Sequence, residues 1–224
     1  MLSVLCCLHT TEGAGMKLLV SGSSKTVRRL SNDWPDHLGH LLTPNAGNRV
    51  ETMLKTGLPW AADNGAFNGF DAERFTAFLG RIAFKPRCLF VVVPDVVADC
   101  QATMRMFAKW APIVRSITGQ PIAFVGQDGA ESAVLPWSGM DAWFVGGSTQ
   151  WKLSQASIDL MREARERGKW VHVGRVNSLS RLTWAFDHGA DSVDGSSMSK
   201  WGDKYIHRFC QWLRSLESQP CLKL

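Results

Sequence analysis

Three features of the 224-residue chain predict a single-domain α/β protein built as a parallel (β/α)8 barrel of the TIM type. Short apolar runs recur along it, and each stops at a small or acidic residue. Helical patterns fill the spaces between the runs. The length suits one domain, and an α/β barrel is the usual way to use it. The runs are continuously apolar instead of alternating, which marks strands buried on both faces, as in parallel sheets.

The elements follow in order. The first strand is read at Lys17 to Ser21, with a helical pattern from Lys25 to Asn32. A second strand, Gly39 to Leu42, precedes a helix from Asn48 to Thr56. The third run, Leu58 to Ala62, leads into D-N-G at Asp63 to Gly65. Asp71 can cap the next helix, Ala72 to Ala83, by accepting from its free first-turn amides. The fourth run, Cys88 to Val93, ends in P-D and precedes a long helix, Val97 to Ile117. The fifth, Pro121 to Val125, ends in G-Q. Pro136 and Gly139 then break the pattern, so this crossover should be short or irregular. The sixth, Ala142 to Val145, ends in two glycines and is followed by a helix from Gln155 to Arg167. The seventh, Trp170 to Val173, ends in G-R and precedes a helix from Ser178 to His188. Gly168 and Gly189 stand where a left-handed residue closes a helix. The eighth, Asp191 to Val193, ends at Asp194, and a last helix runs from about Lys200 to Leu216. The alternation favours a barrel over an open doubly wound sheet. The chain also lacks a G-x-G-x-x-G after its first strand, against the dinucleotide-binding version of that sheet. Residues 1–15 read as a flexible leader, and 16–224 as the barrel domain.

Composition bounds the function. A formal charge of +5 leaves an anionic partner such as nucleic acid open. The six Cys include no C-x-x-C pair and no His at zinc-finger spacing, so no metal site is expected. Scattered cysteines suit a reducing cytoplasm, bacterial or phage-infected, and no run approaches the ~18 apolar residues of a membrane span.

In a parallel barrel the C-terminal strand ends build the active site. Those ends carry Asp63, Asp95, Gln127, Gly146 with Gly147, Gly174 with Arg175, and Asp194. One acid at a strand end can simply cap the following helix, which remains open for Asp95, and the glycine pair can be a tight turn. Three acids and an amide on one rim point to chemistry, because clustered carboxylates repel unless separated, protonated or paired. His172 alternates with Val171 and Val173 and reads as a barrel-interior histidine. Asp191, two residues before a polar end, reads as structural.

Five of these strand ends resemble, in order, elements of the tRNA-guanine transglycosylase superfamily. A-D-N-G-A-F at Ala62 to Phe67 resembles D-S-G-G-F, and V-P-D at Val93 to Asp95 resembles the family's guanine-pairing acid. F-V-G-Q-D-G at Phe124 to Gly129 resembles V-Q-G-G, and F-V-G-G-S at Phe144 to Ser148 resembles I-G-G-L. V-G-R-V-N-S-L-S-R-L at Val173 to Leu182, with G-A-D-S-V-D ending at Asp194, resembles G-V-G-T-P-E-D-L with G-V-D-M-F-D. The family's Cys/His zinc module and its P-T-R stretch are missing, which is similar to the compact relatives that insert 7-deazaguanine bases into DNA.

The resemblance implies a pentosyltransferase that exchanges guanine in DNA for a 7-deazaguanine co-substrate, through a covalent aspartyl-nucleotide and without metal or other cofactor. Asp194 would be the nucleophile and Asp63 the general acid/base. Asp95, Gln127, Gly146, Gly147, Asn64, Phe67 and Arg175 would bind the base and its nucleotide. Lys200, Lys204, Arg208 and Arg28 would contact DNA phosphates. The same exchange on tRNA, a barrel N-glycoside hydrolase, and a nucleic-acid-binding module with a degraded site are the competing readings.

Overall fold

The computed structural model describes residues 15–22, 24–45, 49–66 and 69–218. Eight parallel strands close into a barrel in chain order. They are β1 (Lys17–Ser21), β2 (Leu38–Leu42), β3 (Trp60–Ala62), β4 (Cys88–Val92), β5 (Ile122–Gly126), β6 (Ala142–Val145), β7 (Trp170–Val173) and β8 (Ser192–Asp194). Closure is made by β8 against β1, with Leu18 opposite Val193 and Leu19 opposite Asp194. Around them run α1 (Ser24–Leu30), α2 (Val50–Thr56), α3 (Ala72–Ile82), α4 (Cys100–Thr118), α5 (Thr149–Lys152), α6 (Gln155–Glu166), α7 (Leu179–Asp187), α8 (Ser196–Trp201) and α9 (Asp203–Glu217). The fold is the (β/α)8 TIM barrel that the sequence predicts.

Side chains alternate across each strand, so every apolar run feeds two cores. Leu19, Leu41, Phe90, Val125 and Phe144 fill the barrel interior. Their neighbours Leu18, Trp60, Val91, Phe124 and Trp143 face outward and pack on helix residues such as Phe75, Val114, Met161 and Phe209. Burial on both faces is why the runs do not alternate in the sequence. Gly126 is demanded by this packing, since a Cβ there would run into the Trp143 ring.

Three helical features differ from the sequence expectation. The helix expected from Val97 starts at Cys100, because Ala98 takes a left-handed φ of 61° and Asp99 is the cap, accepting from Ala102 N at 2.8 Å. Asp95 therefore does not cap α4. The last helix is two helices divided by Gly202, whose φ of 66° and ψ of −150° suit glycine alone. The short α5, capped by Ser148, was not expected. The β5–β6 crossover has two single 3-10 turns, Ala130–Ser132 and Trp137–Gly139, in line with its Pro and Gly breakers. Asp191 lies just before β8, accepts from Val171 N at 2.7 Å and pairs with Arg165 at 3.1 Å, a structural role as read. Residues 1–14 of the expected leader lie outside the described residues. No helix among the described residues is long and apolar enough to cross a membrane.

Candidate active site

The barrel interior is apolar up to its C-terminal end and polar in the next layer. The pleat that points Ala61, Val125, Phe144, His172 and Ser192 inward also places Asp63, Gln127, Gly146, Gly174 and Asp194 two residues above them. Asp95 joins this layer from the loop after β4. The rim proposed from the sequence is thus one contiguous site, and three carboxyls from β3, β4 and β8 enter it.

Asp95 is held by two amides. Asn64 Nδ2 donates to Asp95 Oδ1 at 2.7 Å and to Val93 O at 3.0 Å. Gln127 Nε2 donates to Asp95 Oδ2 at 2.6 Å. Gln127, 1% exposed, also accepts through Oε1 from Ala98 N and Gly147 N, both at 2.9 Å. Gln127 and Gly147 N, both expected to bind a ligand, are therefore engaged with Asp95 and with each other. The glycine pair serves the chain's own packing. A Cβ on Gly146 would lie 2.5 Å from Val125 Cγ1, and one on Gly147 would lie 2.5 Å from the Trp151 ring. Gly147 also has a φ of 63°, a region that L side chains avoid.

Asp194 faces two cations without pairing to either. Its Oδ1 accepts from Arg175 N at 2.5 Å, and Arg175 holds a left-handed φ of 62° to offer that amide. The Arg175 guanidinium turns away and donates to Gly147 O. Lys152, at the end of α5, is 5% exposed and donates from Nζ to Gly174 O. Among the described residues no cation lies within 4 Å of the Asp63, Asp95 or Asp194 carboxyls. Asp63 Oδ1 accepts from Gly65 N at 2.9 Å, forming a tight turn at the end of β3.

Burial sets the electrostatics. It pushes Asp95 up to about 6, opposed by the Asn64 hydrogen bond and assisted by the Asp63 charge. It pushes Asp194 up to about 6, against the Arg175 amide and again with Asp63 contributing. Asp63 itself is raised by burial. Lys152 is pushed down to about 7 by burial and by the Arg175 charge, against the attraction of Asp194. Both carboxyls and the amine thus change protonation near neutral pH, where a general acid or base is most useful.

Below this layer, His172 is buried between the rings of Phe144 (4.5 Å) and Phe90 (5.2 Å) and is held near 3 by desolvation. It is an interior histidine, as read. Sequence reasoning missed Lys152. A lysine one turn after a capping serine looks like any solvated helix residue, and only the inward turn of α5 buries it. Phe67 lies outside the described residues. Arg28, Lys200, Lys204 and Arg208 are exposed on α1, α8 and α9. The Arg29–Asp203 pair at 2.7 Å joins α1 to α9, so Arg28 and Lys204 sit on adjoining helices. Among the described residues no three His, Cys, Asp or Glu side chains group to hold a metal ion.

No family model and no curated protein matches the chain. Solved structures do. A mandelate oxidase variant with 2-hydroxy-phenylacetamide matches at 14% identity and a TM-score of 0.60, covering 89% of this chain and 71% of that one. A mandelate oxidase variant with a C4a-OH-FMN adduct matches at 14% and 0.58, covering 90% and 72%. A flavocytochrome b2 variant matches at 14% and 0.54, and this chain spans 62% of that chain's length. At such identity the likeness is one of fold.

These findings overturn the resemblance to guanine transglycosylases. The neighbours are oxidases and a flavocytochrome, and no family model supports the five motif matches. The physical reason is that an apolar run ending in Gly or Asp is what a parallel barrel writes at many strand ends. Base exchange through an aspartyl-nucleotide, its tRNA and hydrolase variants, and the pentosyltransferase class go with it. The expectation of no cofactor beside a 7-deazaguanine co-substrate is overturned too, since one neighbour holds FMN.

The mouth of this barrel does not fit that group either. Barrels often hold phosphate with the loops after the seventh and eighth strands and a short extra helix. Here Ser197 N already donates to Asn177 Oδ1 at 2.9 Å, and a Cβ on Gly195 would strike Val176 O. Arg175 and Lys152 are turned onto backbone carbonyls, and Asp194 adds negative charge.

Proposed function

We propose that the chain is an enzyme whose catalytic centre is the polar mouth of the barrel. It exchanges protons with a small, neutral, polar substrate by general acid–base catalysis. One observation carries this reading: three carboxyls converge in a largely buried layer with no cation within 4 Å among the described residues. Such an arrangement destabilises a fold, so a barrel that keeps it uses it.

Asp194 is the proton-exchanging group. Its Oδ1 is oriented by Arg175 N, and Lys152 beside it tunes its charge. Asp95, clamped by Asn64 and Gln127, accepts from a hydroxyl or amine of the substrate. Asp63 keeps the two other carboxyls easy to protonate. A phosphorylated or otherwise anionic substrate is disfavoured, because each added negative charge would meet three acids.

Carboxyl-labelled protein followed by carbon NMR against pH tests the electrostatic premise. Two aspartates should titrate near pH 6, and Asp194→Asn should remove one of those transitions. Incubation with a pool of small polar metabolites, read by mass spectrometry, should show a conversion that Asp194→Asn abolishes while the fold is kept. Ordinary titration near pH 4 for every aspartate would refute the reading.

A further inference from the structure

We propose that Lys152 is an amine nucleophile that forms a Schiff base with a small neutral carbonyl compound, an aldehyde or ketone, entering the mouth of the barrel. The inference rests on the mouth being the catalytic centre and names the substrate class for it.

The geometry separates Lys152 from an ordinary lysine. It is 5% exposed, yet among the described residues its hydrogen-bond partner is a backbone carbonyl, Gly174 O, and no carboxylate lies within 4 Å. A charged ammonium buried without a counter-ion is expensive, so the amine form is favoured. The charged groups around it act in the same sense. Arg175 and Arg181 oppose its protonation, and among the described residues Asp194, unpaired with it, favours the charge. Burial beside another cation is a recognised way to free a lysine lone pair at neutral pH.

Lys17 provides the contrast inside the same molecule. It is 7% exposed at the opposite end of the barrel and donates to Asp36 O. The acids Asp36 and Glu217 both favour its charge. Burial favours the amine at both lysines, but two acids oppose it at Lys17 and one at Lys152, so the amine form is favoured more strongly at Lys152.

Lys152 is also rigidly presented. Ser148 caps α5 by accepting from Trp151 N at 3.2 Å, and Trp151 Nε1 donates to Glu131 at 2.7 Å. The nearby Asp194 supplies the proton transfers. The Nζ lone pair forms a bond to the carbonyl carbon, and the carbonyl π pair moves to oxygen, which takes the proton that the newly bonded, positively charged nitrogen gives up. The resulting carbinolamine loses its hydroxyl as water, with a proton from the Asp194 carboxyl. Amine, carbonyl and one proton thus become a protonated imine and one water.

Reductive trapping tests this directly. The folded wild-type protein is incubated at pH 7 with glycolaldehyde, and in a second arm with hydroxyacetone, each with cyanoborohydride. Hydride addition to the imine carbon fixes a secondary amine that peptide mapping locates. Lys152 should be labelled at least about tenfold faster than the exposed Lys25 and Lys200, because a far larger share of it is the free amine at pH 7. Lys152→Arg and Lys152→Met, checked for fold by circular dichroism, should label only at the slow surface rate. Labelling confined to surface lysines in the wild type, with Lys152 unmodified in both arms, would overturn the inference whether or not the variants fold. Were Asp95 and Asp194 still to titrate near 6 in that case, the acid–base reading would stand and the Schiff base alone would fall.

Discussion

Asp194 shows most directly how burial becomes a measurable property. Its carboxyl is lifted to about 6, chiefly by desolvation. A carboxyl that protonates more easily in the folded state binds more protons there than in the unfolded chain between about pH 4 and 6. Stability therefore falls as the pH rises through that window. Asp194→Asn keeps an oxygen for the Arg175 amide and removes the buried charge. The variant should be more stable than wild type by on the order of 1–3 kcal/mol at pH 7, and equal to it below pH 4. Denaturant unfolding at the two pH values measures this, and identical curves at pH 7 would show that the charge is not buried. Of the rim residues, Asp63, Asp95, Asn64, Gln127 and Asp194 were legible as polar ends of apolar runs. Lys152 was not, because its burial comes from where α5 points and not from its neighbours in sequence.

At the scale of elements, caps and glycines separate structural acids from free ones. Asp71 and Asp99 each accept from the third amide of the helix they precede, Arg74 N at 3.0 Å and Ala102 N at 2.8 Å. With Asp99 in that role, Asp95 is released to the mouth. Asp99→Ala should cost about 1 kcal/mol of stability and leave the titration of Asp95 unchanged. Thermal unfolding beside the NMR titration checks both halves, and a shifted Asp95 would mean that the cap and the site are one unit. Gly202 acts likewise on α8 and α9. Gly202→Ala, forced to a φ of 66°, should destabilise the last turn of α8 and the start of α9 by about 1 kcal/mol or more, seen as faster amide exchange there. Strand positions were readable because each run is apolar on both faces. The α8–α9 break was hidden because Gly in a helical pattern is tolerated as often as it terminates one.

At the scale of the whole molecule, barrel closure decides what meets what. Asp63 and Asp194 are 131 positions apart by numbering, and only the ring of strands from β3 to β8 brings their charges within electrostatic reach. The groups that a phosphate would use, Arg175, Lys152 and Ser197 N, are bonded within the chain, which argues against the FMN that one neighbour holds. Protein mixed with FMN and passed through a desalting column should emerge without flavin fluorescence. Stoichiometric retention would replace the acid–base reading with a flavin one.

The sequence by itself determined the strand and helix order, the parallel barrel and the identity of most rim residues, because periodicity and punctuation are local properties. It did not determine the family, since short strand-end motifs are shared by barrels of many functions. The tertiary structure alone decided which donors are already engaged, which acids have no counter-ion among the described residues and where Lys152 lies. Those are matters of burial and of contacts between residues far apart in the chain.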